Sequence, residues 1–559
     1  PAPMGAASSE MPEERPDRIW IWLLGLAMLA SGVLLMAMRS QIGFFLDDWD
    51  LVIYRGNPTD WLLPHNEHIV VLPAAIYKLS LAIFGMTAIP LHLVAVALFL
   101  TSVAALFLWL RPLTGAPSAF FGCLVVLFLG AATEDLVWAF QMGFFGSVAA
   151  GLGALLQLRR GTRTGDRWAC LLLVVSVLFS SLGIPFALGA AVLILFGESL
   201  HPDWRRLPGR AWIFLVPALL YAGWWLGWGH LAPNALGTAN LRQDPVYLLS
   251  GLGYSALVLT GTFKVGQVSM DDGWALPGLI LALILGLVLF IRRRIPVELL
   301  VAATIALGFW ALSGLNYIPG REFFNSRYQY PGAVILLMLL GGAFAGSRPG
   351  PRTLAVIAAV CAVSLVVNLQ TLNDLFRGTY RPYAQRNHLA LAGLDLASRT
   401  VPDGYAVAMT DDGQALVDAG SYLEAAEKYG KAGLPPDEIG GLPVDQRIRL
   451  DQILVGALPV RLLPAGNLAA DRDLCRTVTA DPAASGNLEV GSSLMLIRSR
   501  RQVTIKLGRF GPGTGALAWF APGGRAVGYR IPRDHSERPW RIGFKGRGPV
   551  TVCPASPSK

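Results

Sequence analysis

The stretch IWIWLLGLAMLASGVLLMAM, residues 19–38, runs through RSQIGF into FLDDWD, residues 45–50, and this junction decides how the rest of the chain is read. Twenty consecutive apolar or small residues suffice to cross about 30 Å of hydrocarbon as a helix. The run exceeds a secretory signal core of roughly 7–15 residues and lacks a convincing small-residue cleavage site, so it reads as a retained signal anchor. Residues 1–18 before it are rich in Pro, Glu and Arg and cannot build a packed core, which makes them a short cytoplasmic tail. Three carboxylates, Asp47, Asp48 and Asp50, follow at the far membrane face.

Working outward, the 559 residues are 53% hydrophobic and only 15% charged. A soluble domain carries about 25% charge, so the composition excludes one and implies a polytopic membrane protein. Further apolar runs lie near 89–110, 118–133, 143–158, 168–182, 184–198, 211–228, 274–291, 297–317, 331–346 and 353–370. With the first, they give about eleven spans, plus or minus about two. The formal net charge of +9 raises a nucleic-acid reading, but the basic residues read as short clusters between apolar runs. With a cytoplasmic N-terminus, Arg111, Arg159, Arg160, Arg163, Arg167, Arg205, Arg206, Arg210, Arg292 to Arg294, Arg348 and Arg352 all fall inside. The stretches 69–86 and 247–263 are laid in the interface; Pro73, Lys78 and Gly85 interrupt the first.

The expected fold is therefore mainly α: a transmembrane helical bundle over 19–370, interfacial helices in the first outside loop, and a soluble C-terminal α+β domain over 371–559 on the extracytoplasmic side. Helical patterns at 383–398 and 420–455 precede strand-like alternation over 486–552. Of five cysteines, Cys123, Cys170 and Cys361 sit in apolar runs, while an oxidising exterior would permit a Cys475–Cys553 disulfide.

Candidate chemistry gathers in the outside loops. Asp47 and Asp48 are flanked by Phe44, Phe45, Leu46 and Trp49, which hold the acids near the bilayer. His65-Asn66-Glu67-His68 follows; its HxxH spacing permits metal ligation but has no fixed third ligand, so a divalent metal and hydrogen bonding to a sugar acceptor both stay open. Glu134, Asp135, Trp138 and Gln141 in the second outside loop supply the acid, aromatic and amide groups that line sugar sites. Arg321, Glu322, Asn325, Arg327 and Tyr328 precede the span that starts at Pro331, and an arginine fork at headgroup height suits a phosphodiester. No P-loop or Gly-rich nucleotide motif is present; Asp48-Trp49-Asp50 formally reads DxD but lies beside a span.

These features resemble the GT-C superfamily of membrane glycosyltransferases, which use polyprenyl- or dolichyl-phosphate sugars and include protein O-mannosyltransferases and aminoarabinose transferases. The resemblance covers roughly residues 19–370 and rests on Asp47-Asp48 after the first span, Ile83-Phe84-Gly85-Met86 leading into the next, and Ser326-Arg327-Tyr328 before Pro331. His92 stands where many members have arginine. It implies inverting transfer of a sugar from a polyprenyl-phosphate carrier to a glycan, lipid or protein hydroxyl in the cytoplasmic membrane of a bacterium, with membrane lipids and no nucleic acid as further partners. It also implies Asp47 or Asp48 as base, Arg327 with Arg321, Lys78 and Tyr328 as donor-phosphate ligands, and no certain cofactor. His65, Glu67, His68, Glu134, Asp135 and Gln141 are then the acceptor or sugar ligands. The alternatives are a transporter and a non-catalytic glycolipid-binding scaffold.

Overall fold

The computed structural model describes residues 15–197, 202–232, 238–263, 273–407, 409, 416–483, 488–491, 493–514, 516–531 and 533–558. Residues 1–14 of the expected tail, residue 198 of one apolar run and part of the strand-rich region lie outside them. Two compact units emerge: Pro1–Ile42, Arg55–Ser80 and Ala88–Tyr380 form one, and Gly43–Tyr54, Leu81–Thr87 and Arg381–Lys559 the other. The boundary thus falls at 380/381 rather than 370/371, and two pieces of the first loop belong with the C-terminal unit.

Every apolar run folds as a helix. Among the described residues, Asp17–Arg39, Ile89–Thr114, Ala139–Leu158, Ala275–Arg292, Val297–Leu315 and Pro351–Ala397 are long and apolar enough to cross a membrane. Ala116–Leu127 and Gly130–Val137 form a pair bent by 41° that counts as a seventh span if taken as one, and Val71–Phe84, Gly183–Phe196 and Trp212–Gly227 are shorter apolar helices. The chain is an integral membrane protein. One expectation changes: 247–263 belongs to the helix Thr238–Thr260, which packs against Ala275–Arg292, Val297–Leu315, Ser326–Ala343 and Pro351–Leu375, a place in the bundle rather than the interface.

The topological arginines share one end of this bundle. Arg111 pairs with Asp17 at 2.7 Å, Arg159 with Glu298 at 3.1 Å while its guanidinium lies 3.6 Å over Trp109, and Arg210 chelates Asp166. Arg292 donates to the Ala343 and Ala345 carbonyls, and Arg348 to those of Leu113 and Pro112. Apart from the Trp109 ring, the partners lie at or beside helix ends, where open carbonyls and acids favour a cation.

At the bent pair, the turn 129–132 presses against the helix Pro351–Leu375, whose Asn368 amide accepts from the Ala131 N–H (3.2 Å) and donates to the Val258 carbonyl (3.2 Å). A Cβ at Gly130 would lie 1.8 Å from the Asn368 carbonyl oxygen, whereas one at Gly25 meets nothing within 4 Å. Gly130→Ala is expected to lower the unfolding temperature in detergent by several degrees, an overpacking cost of about 1–3 kcal/mol. Gly25→Ala should leave it unchanged or raised, and equal melting of the two variants would contradict this packing.

The second unit combines the helices Arg381–Ala397, Ala419–Tyr429 and Val444–Ala457 with two antiparallel sheets. In the larger sheet, Arg461–Pro464, Ala526–Arg530, Leu494–Ser499, Gly548–Pro557 and Leu468–Ala470 follow in that order, with Arg476–Ala480 also on Gly548–Pro557. The smaller runs Leu488–Val490, Trp540–Lys545, Val503–Gly508, Ala516–Ala521. Buried Asp451 accepts from the backbone N–H groups of Arg509, Phe510 and Gly511, tying the helix Val444–Ala457 to the turn after a strand. Cys475 and Cys553 are joined as a disulfide, closing a loop of 78 residues. Such a loop closure stabilises by roughly 4 kcal/mol on the chain-entropy scale.

Candidate functional site

At the bundle end opposite the arginine clusters, four segments of the first unit converge. The first is the turn His65-Asn66-Glu67-His68, closed by reciprocal 3.0 Å hydrogen bonds between the His65 and His68 backbones, with Asn66 at φ +50°. Asparagine tolerates that left-handed conformation better than most residues. Both imidazoles turn onto aromatic rings: His65 lies 4.7 Å from Phe140, and His68 lies 6.0 Å from Phe144. Burial, then the positive fields of His65, Arg321 and Arg327, push His68 down to about 4. It is neutral at pH 7 and supplies no cation. No three His, Cys, Asp or Glu side chains gather as a metal site among the described residues.

Glu67 points instead to the second segment, residues 317–325. Arg321 Nη1 donates to both Glu67 carboxylate oxygens at 2.7 Å, with side chains only 17% and 11% exposed for Arg321 and Glu67. This loop is cross-braced. The Tyr247 hydroxyl donates to the Arg321 carbonyl (2.9 Å), Asn240 donates to the carbonyls of Leu315 and Tyr317, and Asn325 donates to the Gly320 carbonyl and to Glu322.

The third segment is the N-terminus of the helix Ser326–Ala343. Arg327 donates to the Gly320 carbonyl, and its guanidinium lies 5.6 Å over the Tyr328 ring, whose hydroxyl it also hydrogen-bonds. The fourth is the short helix Thr133–Val137. Ser326 fastens it by accepting from the Glu134 N–H (3.0 Å) and donating to the Ala131 carbonyl (2.8 Å). Asp135 is fully buried, and Gln141 is buried in the turn Ala139–Gln141. Lys78, half-buried on the helix Val71–Phe84, also belongs to this unit.

Sequence reasoning missed two arginines here. Arg39, fully buried, donates to the carbonyls of Leu136 (2.6 Å) and Asp135 (3.0 Å), and Arg55 donates to those of Asp60 (3.1 Å), Leu63 and Pro64 (3.3 Å). Arg39 had a readable signal: it ends an outward-running span, where the distribution of basic residues disfavours arginine.

Asp47 and Asp48 lie in the other unit. Phe45 rests edge-on against Tyr383 at 5.4 Å, and Trp49 against Tyr422 at 6.2 Å. Asp48, 0% exposed, accepts from the Phe45 N–H at 2.8 Å, closing a turn in which Leu46 is held at φ +42°. Asp47 is half-buried at the N-cap of the helix Asp48–Ile53 and makes no cap bond to it.

No family model and no curated protein matches this sequence. Among solved structures, the chain aligns with crystal structures of ArnT from Cupriavidus metallidurans, bound to undecaprenyl phosphate and in the apo state. Each alignment has 14% identity and a TM-score of 0.42, and covers 81% of this chain and 93% and 94% of those chains respectively.

Proposed function

We propose that the protein transfers a sugar from a polyprenyl-phosphate carrier to an acceptor hydroxyl of a glycan, lipid or protein on the extracytoplasmic face of a bacterial cytoplasmic membrane. The observation that carries the reading is Arg327: half-buried, on a braced loop, at the bundle end away from the arginine clusters. By the positive-inside rule the clusters support a cytoplasmic side at their end of the bundle, and the disulfide supports an oxidising exterior for the C-terminal unit. On that orientation Arg327, at the N-terminus of the helix Ser326–Ala343, is the proposed contact for a carrier phosphate at headgroup height.

In the proposed reaction Asp47 accepts the acceptor's hydroxyl proton as that oxygen attacks the anomeric carbon. The bond from that carbon to the phosphate oxygen breaks with inversion, and the lipid phosphate departs with the electron pair. Arg327, oriented by Tyr328 and aided by Lys78, holds the leaving phosphate's charge. Arg321 is engaged by Glu67 and is assigned the positioning of the His65–His68 turn. Glu134, Asp135 and Gln141 remain the sugar-side candidates.

Purified protein in nanodiscs, given radiolabelled polyprenyl-phosphate sugars and a membrane extract, is expected to transfer label. Arg327→Ala should cut the rate by about 10²–10³-fold, with Arg327→Lys recovering part of it. Transfer from no donor would favour a transporter or a non-catalytic glycolipid-binding scaffold.

A further inference from the structure

Arginine clusters between apolar runs do not account for the basic excess, because residues 458–559 alone hold sixteen Lys and Arg against six Asp and Glu. That net of +10 exceeds the whole chain's formal +9, so the excess belongs to the β-rich part of the C-terminal unit.

Much of it is concentrated at one end of the sheets. Three loops meet there: 499–502 between Leu494–Ser499 and Val503–Gly508, 522–525 between Ala516–Ala521 and Ala526–Arg530, and 546–547 between Trp540–Lys545 and Gly548–Pro557. The Gly524 N–H donates to the Ser499 carbonyl at 2.8 Å, and a Cβ at Gly523 would touch the Arg501 backbone. A Cβ at Gly546 would lie 3.5 Å from the Gln502 carbonyl. Arg500, Arg501, Arg525 and Arg547 project from these loops, with Arg498 on the adjoining strand, and all five are exposed. Asp481 adjoins the tip on the Lys545 side, and its backbone carbonyl accepts from the Gly546 N–H at 3.1 Å. None of the five arginines has a carboxylate partner among the described residues. In the same unit, buried Arg509 is paired with Asp534 at 2.6 Å.

We propose that this arginine tip binds an anionic polysaccharide through its repeating carboxylate or phosphate groups. Planar guanidinium forks match such oxyanions bidentately, and a cluster of them rewards a ligand that repeats its charge. Loops 499–502, 522–525 and 546–547 contain no Trp, Phe, Leu or Ile to enter a bilayer, which sets a lipid surface aside. They offer no aromatic ring to stack a base, and the disulfide supports an oxidising exterior for the unit. This inference does not depend on the proposed reaction.

The full chain in phosphatidylcholine nanodiscs is to be titrated with polygalacturonate, with neutral dextran, and with vesicles containing phosphatidylglycerol. Binding to polygalacturonate alone is expected, weakening about tenfold between roughly 50 and 300 mM salt. Arg500→Ser, Arg501→Ser, Arg525→Ser and Arg547→Ser combined should lose at least about tenfold in affinity. Arg461→Ser with Arg530→Ser, exposed residues paired at the other end of the same strands, should stay within about twofold. Absence of binding, equal losses in both variants, or binding to the lipid vesicles in place of the polymer would each overturn the proposal.

Discussion

Asp47→Asn is expected to reduce sugar transfer by about 10²–10⁴-fold, the range a general base contributes, while Asp48→Asn keeps most of it. The two carboxylates are adjacent in sequence but differently placed. Asp48 is buried, and one oxygen accepts the Phe45 N–H at 2.8 Å; in return, its own N–H donates to the Phe45 carbonyl at 2.9 Å. That reciprocal pair holds the turn with Leu46 in a left-handed conformation that a branched side chain adopts at a cost. An Asn at 48 keeps an acceptor oxygen for the Phe45 N–H, so its effect is confined to about 1–2 kcal/mol of stability. Asp47 is half-buried at the N-cap of the helix Asp48–Ile53 and, unlike Asp48, accepts no hydrogen bond from the Phe45 N–H that closes the turn. Label transfer by each variant, with retained size-exclusion profile and helix content, separates the roles. The opposite ranking would make Asp48 the base; retention in both would move it to Glu134, since Glu67 is held by Arg321.

What the sequence revealed and what it concealed differ by the range of the interaction. Helix-forming runs and the sign rule for loops are local, so each apolar run became a helix, and Arg111, Arg159, Arg210, Arg292 and Arg348 fell at one end of the bundle. The strands Leu494–Ser499, Val503–Gly508 and Ala516–Ala521 were legible from alternation, whereas Arg461–Pro464, Leu468–Ala470 and Arg476–Ala480, of three to five residues, are too short to show a period. Apolar length alone could not tell an interfacial helix from a packed one at 247–263; that depends on the neighbours of Thr238–Thr260. Nor could spacing show that His65 and His68 would face aromatic rings, because Phe140 and Phe144 lie in another loop and helix. Glu67 and Arg321, read separately as a sugar ligand and a phosphate ligand, stand 254 residues apart and meet only in the fold.

That pair sets the second large effect. Arg321→Met leaves the Glu67 carboxylate, 11% exposed, without its bidentate partner, and a mostly buried ion pair broken from one side costs about 3–5 kcal/mol. The variant is expected to melt well below wild type and to lose transfer through disorder of the His65–His68 turn. Glu67→Gln with Arg321→Met removes both charges and should recover much of the stability, because neither partner is then left buried and unpaired. If Arg321 were instead a donor-phosphate ligand competing with Glu67, freeing it by Glu67→Gln would lower KM for the lipid donor. The double variant would then be as stable as wild type yet unable to bind donor. Thermal unfolding of the four proteins in the cycle, with KM and kcat for wild type and Glu67→Gln, distinguishes the two. A coupling energy above about 2 kcal/mol with unchanged KM assigns Arg321 to the scaffold and leaves Arg327 as the arginine that meets the phosphate.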